Sequence, residues 1–242
     1  MPIQGQRLQL RIDAIEQIAP WVRRFVLAAA SGDLLPPFEG GDRIAVQLGD
    51  DLWCPFSLTG APHARDRYEF VLRGKERSCP SSTHALFHDA AVGTTLVSTA
   101  PQHGLPLAPG AGPHVFIAGG VGLTAFASHI KSLGLQPASM QLHYACHAPM
   151  LGLVGHLGLT PGPALHCYVS ERGERFEPAA VLATLPTSAH IYACGPVSLV
   201  ESVLTSAISM HWPLPQLHWD PGVRLAVALQ AGTPQPALSL AA

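Results

Sequence analysis

The sequence predicts a β plus α/β architecture: an N-terminal antiparallel barrel followed by a doubly wound parallel sheet. Three observations predict it. Up to residue 108 the chain alternates short apolar runs with Gly, Pro and Asp clusters, the grammar of a small barrel. After Pro109-Gly110 four apolar runs alternate with helical segments, the grammar of β-α-β units. Between the first of those runs and its helix stands a glycine-rich turn, Gly119-Gly120-Val121-Gly122. The expected divisions are therefore 1–108, 109–222 and a C-terminal tail over 223–242.

Taken in order, Arg7–Ile15 and Trp21–Leu27 alternate apolar and polar residues and read as strands, as do Arg43–Leu48 and Tyr68–Arg73. The turn cluster at 34–42 separates them. A short helix fits Thr83–Ala90, ahead of Val92-Gly93. In the second part, runs at 114–118, 141–145, 165–169 and 190–194 read as buried strands. Helices fit near 124–133, 150–157, 178–184 and 197–209. Residues 223–242 read as one or two weak strands and a tail.

Bulk properties exclude several function classes. A chain of 242 residues buries one large core or two smaller ones. Net charge is −2, which argues against nucleic acid and anionic membranes as partners. No apolar span reaches membrane-crossing length, and MPIQGQRLQLRID has no apolar signal region, so a cytoplasmic protein is expected. Charged residues make up 12% of the chain, against about 25% in typical soluble proteins. Either another subunit covers the surface, making a hetero-oligomer, or the bias is compositional. The cysteines (Cys54, Cys79, Cys146, Cys167 and Cys194) are scattered, which argues against a disulfide framework. They also lack the spacing of a plant-type [2Fe–2S] site, so no iron–sulfur cluster is expected on this chain. The pairs His84/His88 and His143/His147 have no clear third ligand, and no metal is expected.

Gly120-x-Gly122-x-x-Ala125 fits the glycine fingerprint that brings a pyrophosphate against bare backbone N–H groups at a helix start. That fingerprint expects an acidic residue about 20 positions on, for the adenosine ribose. The next strand instead ends at His147, with no acid at that place. From the turn alone, a dinucleotide site and an ordinary strand–turn–helix connection both stay open.

Further residues carry a resemblance. Leu35–Gly41 is similar to an LPPFxAG turn, Phe56-Ser57-Leu58 to YSL, and Val92–Leu96 to VGDTL. Ala100–His103 stands at APRN, Ile117–Thr124 matches IAGGIGIT, Leu142–Tyr144 matches LHY, and Tyr192–Pro196 matches YVCGP. Leu217–Asp220 is similar to an HxE segment. In order and spacing, these resemble the ferredoxin–NADP reductase superfamily. The nearer likeness is to its phthalate dioxygenase reductase and vanillate demethylase reductase branch, over about residues 7–222.

The resemblance implies a six-stranded flavin barrel carrying FMN and a second domain binding NADH. It places the flavin beside Cys54, Phe56, Ser57 and Leu58, with Val71 and Leu72 on the neighbouring strand and Ser81, Ser82 and Thr83 near the phosphate. It places NADH on Gly119, Gly120, Gly122, Leu123 and Thr124, with His147 toward the ribose. Cys194, Gly195, Pro196 and Trp219 would flank the nicotinamide. Ser57, Thr124 and Cys194 stand nearest the reacting atoms. The implied activity is hydride transfer from NADH to FMN, with electrons passed to a ferredoxin or to an oxygenase or demethylase subunit.

The departures from the pattern concentrate on the flavin phosphate. Cys54 stands where the branch has arginine, Ser81-Ser82-Thr83-His84 replaces GGSR, and Gln102 replaces another arginine. Gly222 stands where an aromatic is expected. His84 adds charge only at lower pH. Val223–Gln230 is similar to the first strand of the [2Fe–2S] domain that usually follows, so a stub of a lost cluster domain is expected. Two other functions stay open: a non-catalytic subunit that keeps the fold for docking, and an NADH:flavin reductase that releases reduced flavin.

Overall fold

The computed structural model describes residues 6–75, 83–110, 112–136, 138–159 and 162–220. Ser81, Ser82, Cys79, Gly222 and the expected stub at Val223–Gln230 lie outside them. The described chain divides into two compact units, and the division does not follow chain order. The first unit holds the residues up to Pro106 with Thr124–Gly134 and the described part of 149–160. The second holds Leu107–Leu123, Leu135–Ala148 and the described residues from 162.

In the first unit the strands are β1 (Arg7–Ala19), β2 (Val22–Ala29), β3 (Asp42–Gln47), β4 (Trp53–Ser57), β5 (Tyr68–Arg73), β6 (Thr95–Thr99) and β7 (Gln102–His103). Helix α1 (His84–His88) lies between β5 and β6. Neighbours pair in the order β4-β3-β6-β1-β2-β5, with β7 beside β3, and every pairing is antiparallel. Register shifts at Ile12/Ala14 and Gln17/Ala19 interrupt the long β1 and let it bend.

The strand order leaves β4 and β5 as the two edges. The Thr59 amide donates to the Glu69 carbonyl at 2.8 Å and draws these edges together into a barrel-like sheet. Alternation sends Leu10, Ile12, Phe25, Leu27, Phe70 and Leu72 into one apolar cluster. Phe70 lies at its centre, stacked on Phe25 at 5.0 Å and on Phe56 at 4.5 Å. Each such ring adds about 1.5–3 kcal/mol by burial.

Two helices complete this unit: α2 (Thr124–Leu133) and α3 (Leu151–His156). The Ser128 hydroxyl accepts the Gly41 amide at 2.9 Å, and His129 Nε2 meets the Leu105 carbonyl at 2.9 Å. Burial pushes the His129 pKa down, so the ring is neutral and donates from Nε2. Arg24 bridges Glu16 and Glu69, and Lys131 reaches Glu69 at 3.5 Å. The carboxylate of Glu69 is held below its ordinary pKa by these two cations, against the opposing effect of burial.

The second unit is a parallel sheet of β8 (His114–Gly119), β9 (Met140–Cys146), β10 (Leu165–Val169), β11 (His190–Cys194) and β12 (Leu217–Trp219). Helices α4 (Pro178–Leu182) and α5 (Val197–Ser209) belong to the same unit. The sheet order is β10-β9-β8-β11-β12. From β8 the chain winds one way to β10 and then returns past β8 to β11 and β12, which is the doubly wound topology. Val115, Ile117, Ile191 and Ala193 pack with Leu182 of α4 and Val200, Val203 and Leu204 of α5. β8 is buried from Val115 to Gly119, as a central parallel strand must be.

The four strands and four helices expected after residue 110 form within about three residues of their expected limits. β12 was not expected, and neither were β4, β6 or β7. No helix among the described residues is long and apolar enough to cross a membrane.

Candidate functional site

The reversal of strand order falls between β8 and β11, and their C-terminal ends are the place where open α/β sheets take ligands. Two turns leave the sheet there, Gly119–Leu123 and Cys194-Gly195-Pro196. They interlock through bare backbone. A Cβ on Gly122 would lie 2.4 Å from the Cys194 carbonyl oxygen. A Cβ on Gly119 would lie 2.7 Å from the Pro196 ring, and one on Gly195 would lie 2.8 Å from Gly119. Three of the four glycines are thus required by the packing of one turn on the other. Gly120 differs: its φ is +52° and open space surrounds its Cβ direction.

Helical backbone begins before α2, as a 3-10 turn over Gly120–Leu123. The free N–H groups of the helix therefore sit on the glycine turn itself, and Thr124 lies one turn inside. Pro196 is the N-cap of α5 rather than its first helical residue, and its carbonyl receives the Leu199 amide at 3.0 Å. Burial, with a smaller effect of Asp220, pushes the Cys194 thiol up to about 12. Cys194 is thus a neutral thiol at the turn, chemically a small wall and not a nucleophile. Trp219 of β12 pairs with Ala193, next to this turn.

At the end of β9 the structure supplies an acid that local spacing does not reveal. His147 Nδ1 lies 3.0 Å from Glu171 Oε1, and the Ala148 amide donates to Glu171 Oε2 at 2.9 Å. The Ser170 hydroxyl donates to the same carboxylate at 3.0 Å. These bonds, led by backbone amides, hold the Glu171 carboxyl down at about 2. Sequence reasoning missed Ser170 and Glu171. They arrive from the adjacent strand, where Val169 registers with Cys146.

In the barrel, the edges β4 and β5 share the Thr59–Glu69 hydrogen bond and no ladder among the described residues. The two facing backbone edges are unladdered, although Phe56, Val71 and Leu72 are buried. Such edges ask for a hydrogen-bonding partner. A flat ring with alternating donors and acceptors along its rim, as in a flavin, fits this seam. The side chains of Cys54, Phe56, Leu58 and Leu72 lie in the interior cluster, so these residues offer backbone to the seam. Ser57 and Val71 alternate to the outer side.

Thr83 is the N-cap residue of α1. Gln102 is exposed on β7, opposite Arg43. Among the described residues no three His, Cys, Asp or Glu side chains are grouped to hold a metal ion.

A barrel-like antiparallel sheet with an open seam, followed by a doubly wound sheet with a glycine turn at its switch point, is the architecture of the ferredoxin–NADP reductase class. No protein-family model matches the chain. It is 33% identical over 223 residues to the carnitine monooxygenase reductase subunit of Escherichia coli, covering 89% of this chain and 68% of that protein. It is 29% identical to the heme-dependent oxidative N-demethylase beta subunit of Ectopseudomonas mendocina, over 88% of this chain and 68% of that one. Among solved structures, an intact self-sufficient cytochrome P450 monooxygenase matches 88% of this chain with a TM-score of 0.77 and 27% identity, over 28% of its own length. Phthalate dioxygenase reductase shares the fold, with a TM-score of 0.75 and 24% identity over 88% of this chain and 67% of its own. The chain belongs to the family of ferredoxin–NADP reductase-like reductase subunits of oxygenase systems.

Proposed function

We propose that this chain is an NADH-dependent flavoprotein reductase component. In this reading it takes hydride from NADH onto FMN and passes electrons to a ferredoxin or to an oxygenase or demethylase subunit. The relatives named as reductase subunits of monooxygenase and demethylase systems support the partner class. The observation that carries the reading is the presence, in one chain, of a switch-point glycine turn and an unladdered barrel seam.

Each group then has a definite task. The N–H groups around Gly120 receive the pyrophosphate at the positive end of a helical turn. Cys194, Gly195 and Pro196 give the nicotinamide a close, uncharged wall. Ser57 alternates to the seam's outer side, where its hydroxyl would hydrogen-bond the rim of a bound flavin. A bound flavin supplies the conversion of a two-electron hydride into single electrons. No general base is required, which agrees with a neutral Cys194 thiol.

Glu171 supports NADH over NADPH. An ionised carboxylate at the end of β10, fixed by the Ala148 amide, suits a ribose hydroxyl and repels a 2′-phosphate.

The test is the visible spectrum of the purified full chain. A flavin absorbance band bleached by NADH is expected. A colourless protein that added FMN does not restore, and that fails to oxidise NADH, rejects this reading in favour of a docking subunit. Cys54, standing in place of a cation, is the observation on the side of that second reading.

A further inference from the structure

We propose that Arg73 supplies the positive charge for the phosphate group of the bound flavin, in place of the cation that Cys54 does not provide. The inference rests on the flavin reading above and deepens it.

Arg73 is the last residue of β5, one of the two strands that border the seam. Tyr68, Phe70 and Leu72 point into the apolar cluster, so Glu69, Val71 and Arg73 alternate to the outer side. Its backbone is pinned from two sides. It registers with Val22 on β2, and the next residue, Gly74, donates its amide to the Trp21 carbonyl at 2.8 Å. Gly74 also sits so close to α1 that a Cβ there would lie 2.4 Å from the Phe87 ring. Arg73 thus stands at a fixed point where the seam meets α1.

Among the described residues, its charge is also unpaired. Arg24 is held by Glu16 and Glu69. Arg23 lies over the Phe87 ring and donates to the Phe87 carbonyl. Arg65 donates to the Leu35 carbonyl, and Arg43 is engaged. Arg73 is exposed and has no carboxylate partner among the described residues. In a chain with 14 lysines and arginines in all, a guanidinium at the end of the seam with no carboxylate partner among the described residues is a specific placement. A guanidinium forks onto two phosphate oxygens, which a thiol cannot imitate.

The experiment is equilibrium binding to the flavin-free full chain, read by quenching of flavin fluorescence, with riboflavin, FMN and FAD in parallel. The wild type is expected to bind a phosphorylated flavin about tenfold more tightly than riboflavin. R73Q is expected to abolish most of that difference while leaving riboflavin affinity unchanged, and R73K to keep part of it. Preference for FMN or for FAD in the wild type tells which phosphate group Arg73 meets. Circular dichroism of R73Q checks the fold, and K75Q, two residues further on and beyond the end of β5, is the charge control. If R73Q keeps the full preference, or K75Q alone removes it, the proposal is overturned. If the wild type binds riboflavin and FMN equally, this proposal fails and the flavin reading stands. If it binds no flavin at all, both fail together.

Discussion

Gly195 and Gly119 meet backbone to backbone: a side chain on Gly195 would place its Cβ 2.8 Å from the nitrogen, α-carbon and oxygen of Gly119. Gly195 also holds φ at +145°, which a side chain disfavours. The Gly195→Ala variant is expected to lose about 1–3 kcal/mol of stability, because neither turn can yield without moving a strand end. Its KM for NADH is expected to rise well beyond that of Gly120→Ala. At Gly120 the added Cβ meets nothing within 4 Å, and the cost is confined to φ +52°, about 1–2 kcal/mol. Urea unfolding and steady-state NADH oxidation on the two variants check the contrast. Equal effects would show that the glycines serve ligand approach alone.

The Glu171 carboxylate bears on coenzyme choice. Glu171→Gln keeps an oxygen for the Ala148 amide but removes the charge. The ratio of kcat/KM for NADPH to that for NADH is expected to rise several-fold, chiefly through KM. Because Glu171 ionises at about 2, the wild-type discrimination is expected to hold unchanged from neutral pH down to the acid limit of the fold. A ratio that is flat on substitution would remove Glu171 from the ribose site.

Glu171 also marks the boundary of what the sequence discloses. The glycine turn, the run Val115–Ala118 and helix 124–133 are local signals, and the structure forms them almost residue for residue. The acid is not local. It stands 24 positions after His147 and comes near only because β10 lies parallel to β9 with Val169 beside Cys146. β4 was hidden by Pro55, whose missing N–H disfavours a ladder. On an edge strand that loss costs little. β12 is three residues long, too short for alternation to register. Gly40-Gly41 was legible as a turn, but not its cause, which is a histidine 88 positions beyond Gly41.

Two histidines of the parallel sheet set the acid limit, His143 buried and His218 half-buried. His218 Nε2 lies 3.1 Å from His190 Nδ1 and its ring stacks on Tyr192 at 4.4 Å. His143 Nδ1 meets the Tyr168 hydroxyl at 3.0 Å and its ring stacks on His166 at 4.7 Å. Burial, and then the neighbouring histidines, push both pKa values down to about 4. An unfolded histidine titrates near 6.5. Above that pH both states are neutral and stability is full. Between about 6.5 and 4 the unfolded chain takes up protons that the fold refuses, so stability falls as pH falls. The slope is about 1.4 kcal/mol per pH unit for each histidine. His218→Gln is expected to make the decline shallower by close to one proton, measured as urea midpoint against pH. An unchanged slope would show that the ring is not held neutral by the fold.

The contact between Gly40 and His129 can be isolated by a double-mutant cycle. A Cβ on Gly40 would lie 2.3 Å from His129 Nδ1, and its three nearest neighbours are all atoms of that ring. Gly40→Ala is therefore expected to destabilise by about 1–3 kcal/mol through overpacking. His129→Ala is expected to destabilise separately, since it opens a cavity and leaves the Leu105 carbonyl without its donor at 2.9 Å. In the double variant the new methyl enters space that the ring has vacated. The two losses are then expected to fall short of their sum by about 1 kcal/mol or more. Additive losses in urea unfolding would mean that the Gly40 turn answers to its own backbone and not to helix α2. By contrast, Gly41→Ala is expected to remain destabilising even with His129→Ala. Its Cβ would still lie 2.3 Å from the Leu105 oxygen, at a backbone φ of +80°.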